Sequence, residues 1–186
     1  ISVRLNGSVG LPLRTGELRI EDENGNEVSA GISGELKARA PFGSSGYWMD
    51  PEATAKAWKN GWYSTGDIGI IDENGRLTLM GRLKFTINRS GLKVLPIELE
   101  LAISAYGEVL DCAVVAAPDP AYGEVPVAFV QMREGVVLEG LNLTGRLRQA
   151  GFPDYKIPVR FIAIEALPRI SDNKIDRQAL MTLAGE

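Results

Sequence analysis

The tetrapeptide Asp-Glu-Asn-Gly occurs twice, at 22–25 and at 72–75, and each time it interrupts a run of extended-chain residues. Asn-Gly between such runs is a strong hairpin signal, because both residues accept the left-handed backbone of a tight turn. Glu17–Ile20 alternates polar and apolar ahead of the first turn, and Ile70–Ile71 leads into the second. The flanks of the two copies do not match, so they read as two similar hairpins rather than an internal repeat. Residues 1–82 are therefore expected to form strands and hairpins. One helix is expected among them, with Asp50 as its cap and Pro51 at its first position, running through Trp58 to a stop at Asn60-Gly61.

Beyond Arg82 the pattern changes. Phe85–Val94 reads as a strand pair broken at Arg89-Ser90-Gly91, and Pro96–Ala105 as a helix. Val109–Ala117 and Val125–Met132 read as buried strands, Leu141–Gln149 as a helix and Val159–Ile164 as a strand. After a Ser-Asp-Asn turn signal at 171–173, Lys174–Leu183 reads as a short closing helix. The expected fold class is α+β, a β-rich segment followed by a compact α/β domain with a small central sheet flanked by helices. The expected domains are 1–82 and 83–186. No Pro/Gly/Ser-rich linker marks the boundary, which suggests a hinge at 83–85 between packed bodies.

Composition limits the chemistry. The 186 residues include no histidine, which removes His-based triads and His-ligated metals from what this chain can do alone. Cys112 is the only cysteine and sits in the apolar run Val109–Ala116, where a core thiol is expected; no disulfide or cysteine-based zinc site fits one chain. A net charge of −4 argues against nucleic acid as the main partner. No apolar run approaches the ~18–20 residues of a membrane span, and Ile1 opens no signal-peptide pattern. The missing start Met makes a fragment of a longer protein the expectation.

Lysine, arginine, carboxylates, hydroxyls and backbone amides remain. Lys174, in Leu167-Pro168-Arg169-Ile170-Ser171-Asp172-Asn173-Lys174-Ile175-Asp176-Arg177, carries a compact charge on a long stem, suited to holding a phosphate and a carboxylate together. Asp67, ending Tyr63-Ser64-Thr65-Gly66-Asp67, offers two acceptors for a pair of sugar hydroxyls, or is simply a turn or cap residue. Arg82 suits a phosphate or sugar oxygen, or a surface ion pair. Arg89-Ser90-Gly91-Leu92-Lys93 is a glycine-centred loop that could admit a narrow ligand, or a plain hairpin turn. Glu98 and Glu100 read as a solvated or partner-facing helix stripe rather than an acid/base pair. Trp48, Trp58 and Trp62 read as packing residues.

The order and spacing of these stretches carry more than any one alone. Tyr-Ser-Thr-Gly-Asp (63–67), then Gly81-Arg82-Leu83-Lys84 running through Asn88-Arg89-Ser90-Gly91 to Pro96-Ile97-Glu98, then Asn173-Lys174-Ile175-Asp176-Arg177, resembles the adenylate-forming superfamily. Its members are acyl-CoA synthetases, nonribosomal adenylation domains and luciferases. Gly7–Pro12, Gly34-Glu35-Leu36 and Gly46-Tyr47-Trp48 fall where that family places them, so the resemblance covers essentially the whole chain.

The resemblance implies an acid attacking the α-phosphate of ATP to give an acyl-adenylate, from which a thiol displaces AMP. Residue by residue, it implies that Asp67 holds the ribose hydroxyls and Arg82 contacts the nucleotide. Lys84 matches the hinge, Ser90 and Gly91 fall at the thiol (CoA) tunnel, and Lys174 bridges the acid's carboxylate and the α-phosphate. Residues 1–82 would be the end of the large N-terminal lobe, including part of a distorted barrel, and 83–186 the mobile C-terminal domain. ATP and CoA are the implied co-substrates, with Mg2+ ligands expected outside this chain. The phosphate loop, acid pocket and adenine-binding strands are expected upstream, in an N-terminal lobe of the same parent. The isolated chain is thus expected to be inactive, and the parent a cytoplasmic acid–CoA ligase.

An adenylation domain delivering to a carrier protein is the alternative acceptor reading; a non-catalytic interaction module is the alternative of another class. Two departures from the pattern stand out. Asn173 replaces the usual Gly before the lysine, and Ser90 stands where luciferases and coumarate-type ligases usually carry lysine. Gly81–Lys84 leans toward acyl- or aryl-CoA ligases and Asn88–Gly91 toward short-acyl synthetases, whereas Lys174–Arg177 leans toward adenylation domains.

Overall fold

The computed structural model describes residues 8–41, 43–170 and 174–185. They fall into two compact units that meet between Lys84 and Phe85.

The first unit is an antiparallel sheet. Its strands are β1 (Ser8–Gly10), β2 (Glu17–Glu21), β3 (Gly34–Arg39), β4 (Trp58–Lys59), β5 (Trp62–Ile71) and β6 (Leu77–Arg82), in the order β1-β6-β5-β3-β2 with β4 on β5. The two Asp-Glu-Asn-Gly turns have the same internal structure. Asp22 Oδ1 accepts from the amides of Asn24 and Asn26 at 2.9 and 2.8 Å, and Asp72 Oδ1 from those of Asn74 and Arg76 at the same two distances. Their outcomes differ. The second turn joins β5 to β6 as a hairpin, whereas after the first only Glu21 and Glu27 bridge, and β2 pairs with the more distant β3. Val28 still packs beside Ile20, but the Gly31 amide then donates to the Ile71 carbonyl of β5 at 2.9 Å, and Leu36 of β3 meets Ile20 of β2 in the core with Leu77.

Gly34 at the start of β3 is fixed by that pairing. A Cβ there would lie 2.3 Å from the Glu21 carbonyl oxygen. Gly34→Ala is expected to destabilise the chain by about 1–3 kcal/mol through forced backbone displacement, read as a lowered urea midpoint.

The helix α1 (Pro51–Ala57) starts as expected, with Asp50 Oδ1 accepting from the Ala53 amide at 2.8 Å. It ends one residue short, because Trp58 pairs with Tyr63 in β4–β5. The tryptophans behave differently from one another. Trp58 packs against Tyr47 and Tyr63, and Trp62 lies between the guanidinium groups of Arg19 and Arg39. Trp48 is 90% exposed, contrary to a packing role.

The second unit contains β7 (Ile87–Arg89), β8 (Leu92–Val94), α2 (Pro96–Ser104), β9 (Val109–Asp119), β10 (Gly123–Met132), α3 (Leu143–Gln149), β11 (Arg160–Ala163) and α4 (Arg177–Ala184). β10 pairs antiparallel with β9 along its length and parallel with β11, while its first residue Gly123 meets Arg89 of β7. Successive side chains on β9 and β10 enter different cores. Cys112, Val114, Ala128 and Val130 join Leu99 and Ile103 of α2 and Leu143 and Leu147 of α3. Ala113, Val115, Val127 and Phe129 join Leu180 and Ala184 of α4. Both faces are covered, which is why these strands read as unbroken apolar runs.

α4 begins at Arg177 rather than Lys174, because Asp176 caps it by accepting from the Ala179 amide at 3.0 Å. The Ser171-Asp172-Asn173 turn signal lies outside the described residues.

Candidate functional site

Asp67 owes its position to an irregular strand. Opposite β3, Glu35 pairs with Ile68 and Lys37 with Ser64, so Thr65, Gly66 and Asp67 of β5 face Leu36 alone. The extra residues bulge outward. Gly66 supplies the positive φ of 71°, and the Thr65 hydroxyl replaces the lost ladder by donating to the Leu36 carbonyl and accepting from the Asp67 amide, at 2.8 and 3.0 Å. Thr-Gly-Asp is thus a residue-by-residue recipe for the bulge.

Across the hairpin Asp67 is the direct register partner of Arg82, and the Arg82 Nε lies 2.7 Å from Asp67 Oδ1. The side chains are 24% and 56% exposed, so a two-oxygen acceptor and a guanidinium fork face solvent together. That pair can grip vicinal hydroxyls and an anionic oxygen side by side. Beside it the Tyr63 hydroxyl lies 3.4 Å from that of Tyr47, a contact that, together with burial, raises the Tyr63 pKa.

Lys84 is exposed, in a short 3-10 turn over Leu83–Phe85 where the units meet. Ser90 and Gly91 form the β7–β8 turn, with φ of 50° and 86°. The Ser90 amide donates to the Tyr122 carbonyl at 2.9 Å and the Gly91 amide to Asn88 Oδ1 at 2.8 Å. Arg89, beneath the turn, donates to the carbonyls of Asp154 and Tyr155 and stacks on Tyr122. The loop is well tethered on both flanks.

Lys174 is exposed, while its backbone is held. Its carbonyl accepts from the Ile170 amide at 2.9 Å, Ile175 bridges to Arg169, and the Asp176 amide donates to the Pro168 carbonyl at 2.8 Å. Asp67, Arg82 and Lys84 thus belong to the first unit, and Ser90, Gly91 and Lys174 to the second. Among the described residues no group of three or more His, Cys, Asp or Glu side chains is arranged to hold a metal ion, and no helix is long and apolar enough to cross a membrane.

The expectation of a solvated or partner-facing Glu98/Glu100 stripe fails for Glu100, which is buried on partners within the same unit. Glu98 pairs with Lys156 at 2.5 Å in a half-buried position, but Glu100 is only 7% exposed. Glu100 accepts from Arg177 through both carboxylate oxygens, at 2.7 and 2.9 Å, and from the Val114 amide at 2.8 Å. The signal was present in the helical spacing. Pro96, Leu99 and Ile103 are the buried face of α2, and position 100 falls on that same face.

Cys112 is buried as expected, and desolvation, followed by the nearby Glu100 and Asp111 carboxylates, pushes its thiol pKa well up. A raised pKa keeps it as the unreactive thiol. A disulfide reagent at neutral pH is expected to leave the folded chain unlabelled and to label it fully in guanidinium chloride; rapid native labelling would contradict the burial.

Residues 98–174 match the family described as the AMP-binding enzyme C-terminal domain. The chain is 36% identical to the long-chain-fatty-acid–CoA ligase of Yersinia pestis, over 94% of its own length and 31% of the relative. It is 37% identical to triostin synthetase I of Streptomyces triostinicus, over 96% of its length and 34% of that relative. It superimposes on ATP-bound MatB from Rhodopseudomonas palustris with a TM-score of 0.91 and 30% identity, covering 98% of this chain and 36% of that one. The chain spans about a third of the length of the relatives it matches. Residues 98–174 thus match the AMP-binding enzyme C-terminal domain, and along nearly its whole length the chain is similar to adenylate-forming enzymes.

Proposed function

We propose that this chain is the C-terminal part of an ATP-dependent, AMP-forming acid–thiol ligase, and that its residues act in both half-reactions. The observation that carries the reading is the Thr65–Asp67 bulge, which sets Asp67 against Arg82 in a solvent-facing acceptor–donor pair at 2.7 Å. In this reading Asp67 takes the ribose hydroxyls of ATP and Arg82 a neighbouring nucleotide oxygen. Lys174, exposed on a pinned backbone, sits between the acid's carboxylate and the α-phosphate and offsets the charge that builds as they meet. The carboxylate is already the nucleophile, so no general base is required. A chain without histidine can take part in such chemistry.

Lys84 is the pivot about which the second unit, Phe85–Glu186, turns between adenylate formation and thiol transfer. Ser90 and Gly91 then line the path of the thiol. Mg2+ enters with ATP and finds its protein ligands outside these residues. The acid-binding pocket lies in the rest of the enzyme, so the isolated chain is expected not to turn over. CoA is the proposed acceptor and the cytoplasm the proposed compartment. A carrier protein is the second acceptor reading; the chain is as similar to triostin synthetase I, at 37% identity, as to a CoA ligase, at 36%.

The deciding experiment is ATP-dependent pyrophosphate release by the full-length enzyme over a panel of carboxylic acids, with and without CoA. Release that depends on one acid and ends in a CoA thioester is the expected result. Release without thioester assigns a carrier protein as acceptor, and no release with any acid overturns the ligase reading in favour of an interaction module.

A further inference from the structure

We infer that Glu100 and Arg177 are positioning residues for Lys174, joined to it through the edge of β9. The inference rests on the reading above that Lys174 acts in adenylate formation.

Among the described residues β9 pairs only with β10, which leaves one edge of a long buried strand without a neighbour. At Val114 the ion pair takes the neighbour's place. The Val114 amide donates to Glu100 Oε1 and its carbonyl accepts from the Arg177 guanidinium, both at 2.8 Å. Acceptor and donor are presented as an adjacent strand would present them. The Phe85 ring covers the guanidinium from another side, 5.5 Å away. Arg177 therefore contacts a carboxylate, a carbonyl and a ring, a set of partners that a planar fork meets and a lysine ammonium does not.

Lys174 lies three residues before this anchor, so the connecting chain is at most ~11 Å long. A second tether holds the other arm of the same loop. Arg169, bridged to Ile175, pairs with Asp111 of β9, three residues along the strand from Val114. Lys174 thus lies between two arginines that both anchor to β9, Arg177 at the Val114 backbone and Arg169 at the Asp111 side chain, while its own side chain stays exposed.

The test uses the full-length enzyme and separates the half-reactions. Adenylate formation is followed by ATP–pyrophosphate exchange, and transfer by thioester formation from supplied acyl-adenylate. Arg177→Lys and Glu100→Gln are compared with Lys174→Ala and with the double variant Lys174→Ala/Arg177→Lys. Arg177→Lys is expected to lower kcat for adenylate formation about 10–100-fold, as small misplacements of a reacting group do. KM for ATP and the transfer step should hold.

Added to Lys174→Ala, Arg177→Lys should cost nothing further, because a residue that acts only through Lys174 has nothing left to position. Multiplying effects, or equal losses in both half-reactions, would overturn the positioning role. Glu100→Gln keeps an acceptor for Val114 and should show the same split with a smaller loss. If Lys174→Ala leaves adenylate formation intact, the catalytic reading of Lys174 fails, and this inference fails with it.

Discussion

Lys174→Ala in the full-length enzyme is expected to slow acyl-adenylate formation by about 10²–10³, equivalent to about 2.7–4 kcal/mol by analogy with the loss of one oxyanion donor. The reasoning starts from charge. A carboxylate approaching a phosphate brings two anions together, and the attack develops further charge on the phosphate oxygens. A fixed ammonium placed between them is worth more in the transition state than in the separated substrates, so its removal falls on kcat rather than on KM. Transfer from a preformed adenylate to the thiol requires no such approach of two anions and should survive. Measuring the two half-reactions separately decides the matter; equal loss in both would reduce Lys174 to a structural residue. Lys174→Arg should rescue little, since a planar fork does not reproduce a compact charge.

Much of the scaffold behind that prediction was legible in the sequence, and the exceptions share a cause. The buried runs of β9 and β10 were plain, because a strand covered on both faces shows no alternation. Thr65, Gly66 and Asp67 read as the end of a turn or a cap, and lie instead in a bulge within β5, which only the register with β3 reveals. What failed was what depends on distant partners. The first Asp-Glu-Asn-Gly turn has the hydrogen bonds of the second, yet pairing stops soon after Val28, the Gly31 amide goes to the Ile71 carbonyl, and β2 takes the more distant β3 as its partner. Lys174 was expected inside the closing helix, but the Asp176 cap starts it at Arg177. Trp48 is a large aromatic at the surface, which no local pattern distinguishes from the packed Trp58. Glu100 was read as solvated because its partner, Arg177, lies 77 residues away and only the fold brings it back.

That partnership sets the largest expected effect on stability. Glu100→Ala should destabilise the second unit by about 3–5 kcal/mol, the usual cost of removing one member of a buried ion pair. Two deficits combine. The Arg177 guanidinium, with its side chain 18% exposed, loses its counter-charge, and the Val114 amide loses its acceptor on a strand edge that has no neighbouring strand among the described residues.

Glu98→Ala is the matched control, two residues away on the same helix. Its pair with Lys156 is roughly one-quarter exposed on each side, so its loss should cost no more than about 1 kcal/mol. Urea unfolding of the chain, followed by a signal from the second unit, should therefore show a large fall in midpoint for Glu100→Ala and a small one for Glu98→Ala. Glu100→Gln should fall between them, because an amide oxygen still accepts from Val114 while the charge is gone. Similar midpoints for the two alanine variants would mean that Arg177 finds water or another carboxylate when Glu100 is removed. The β9 edge would then be held by the packing of α2 and α4 alone.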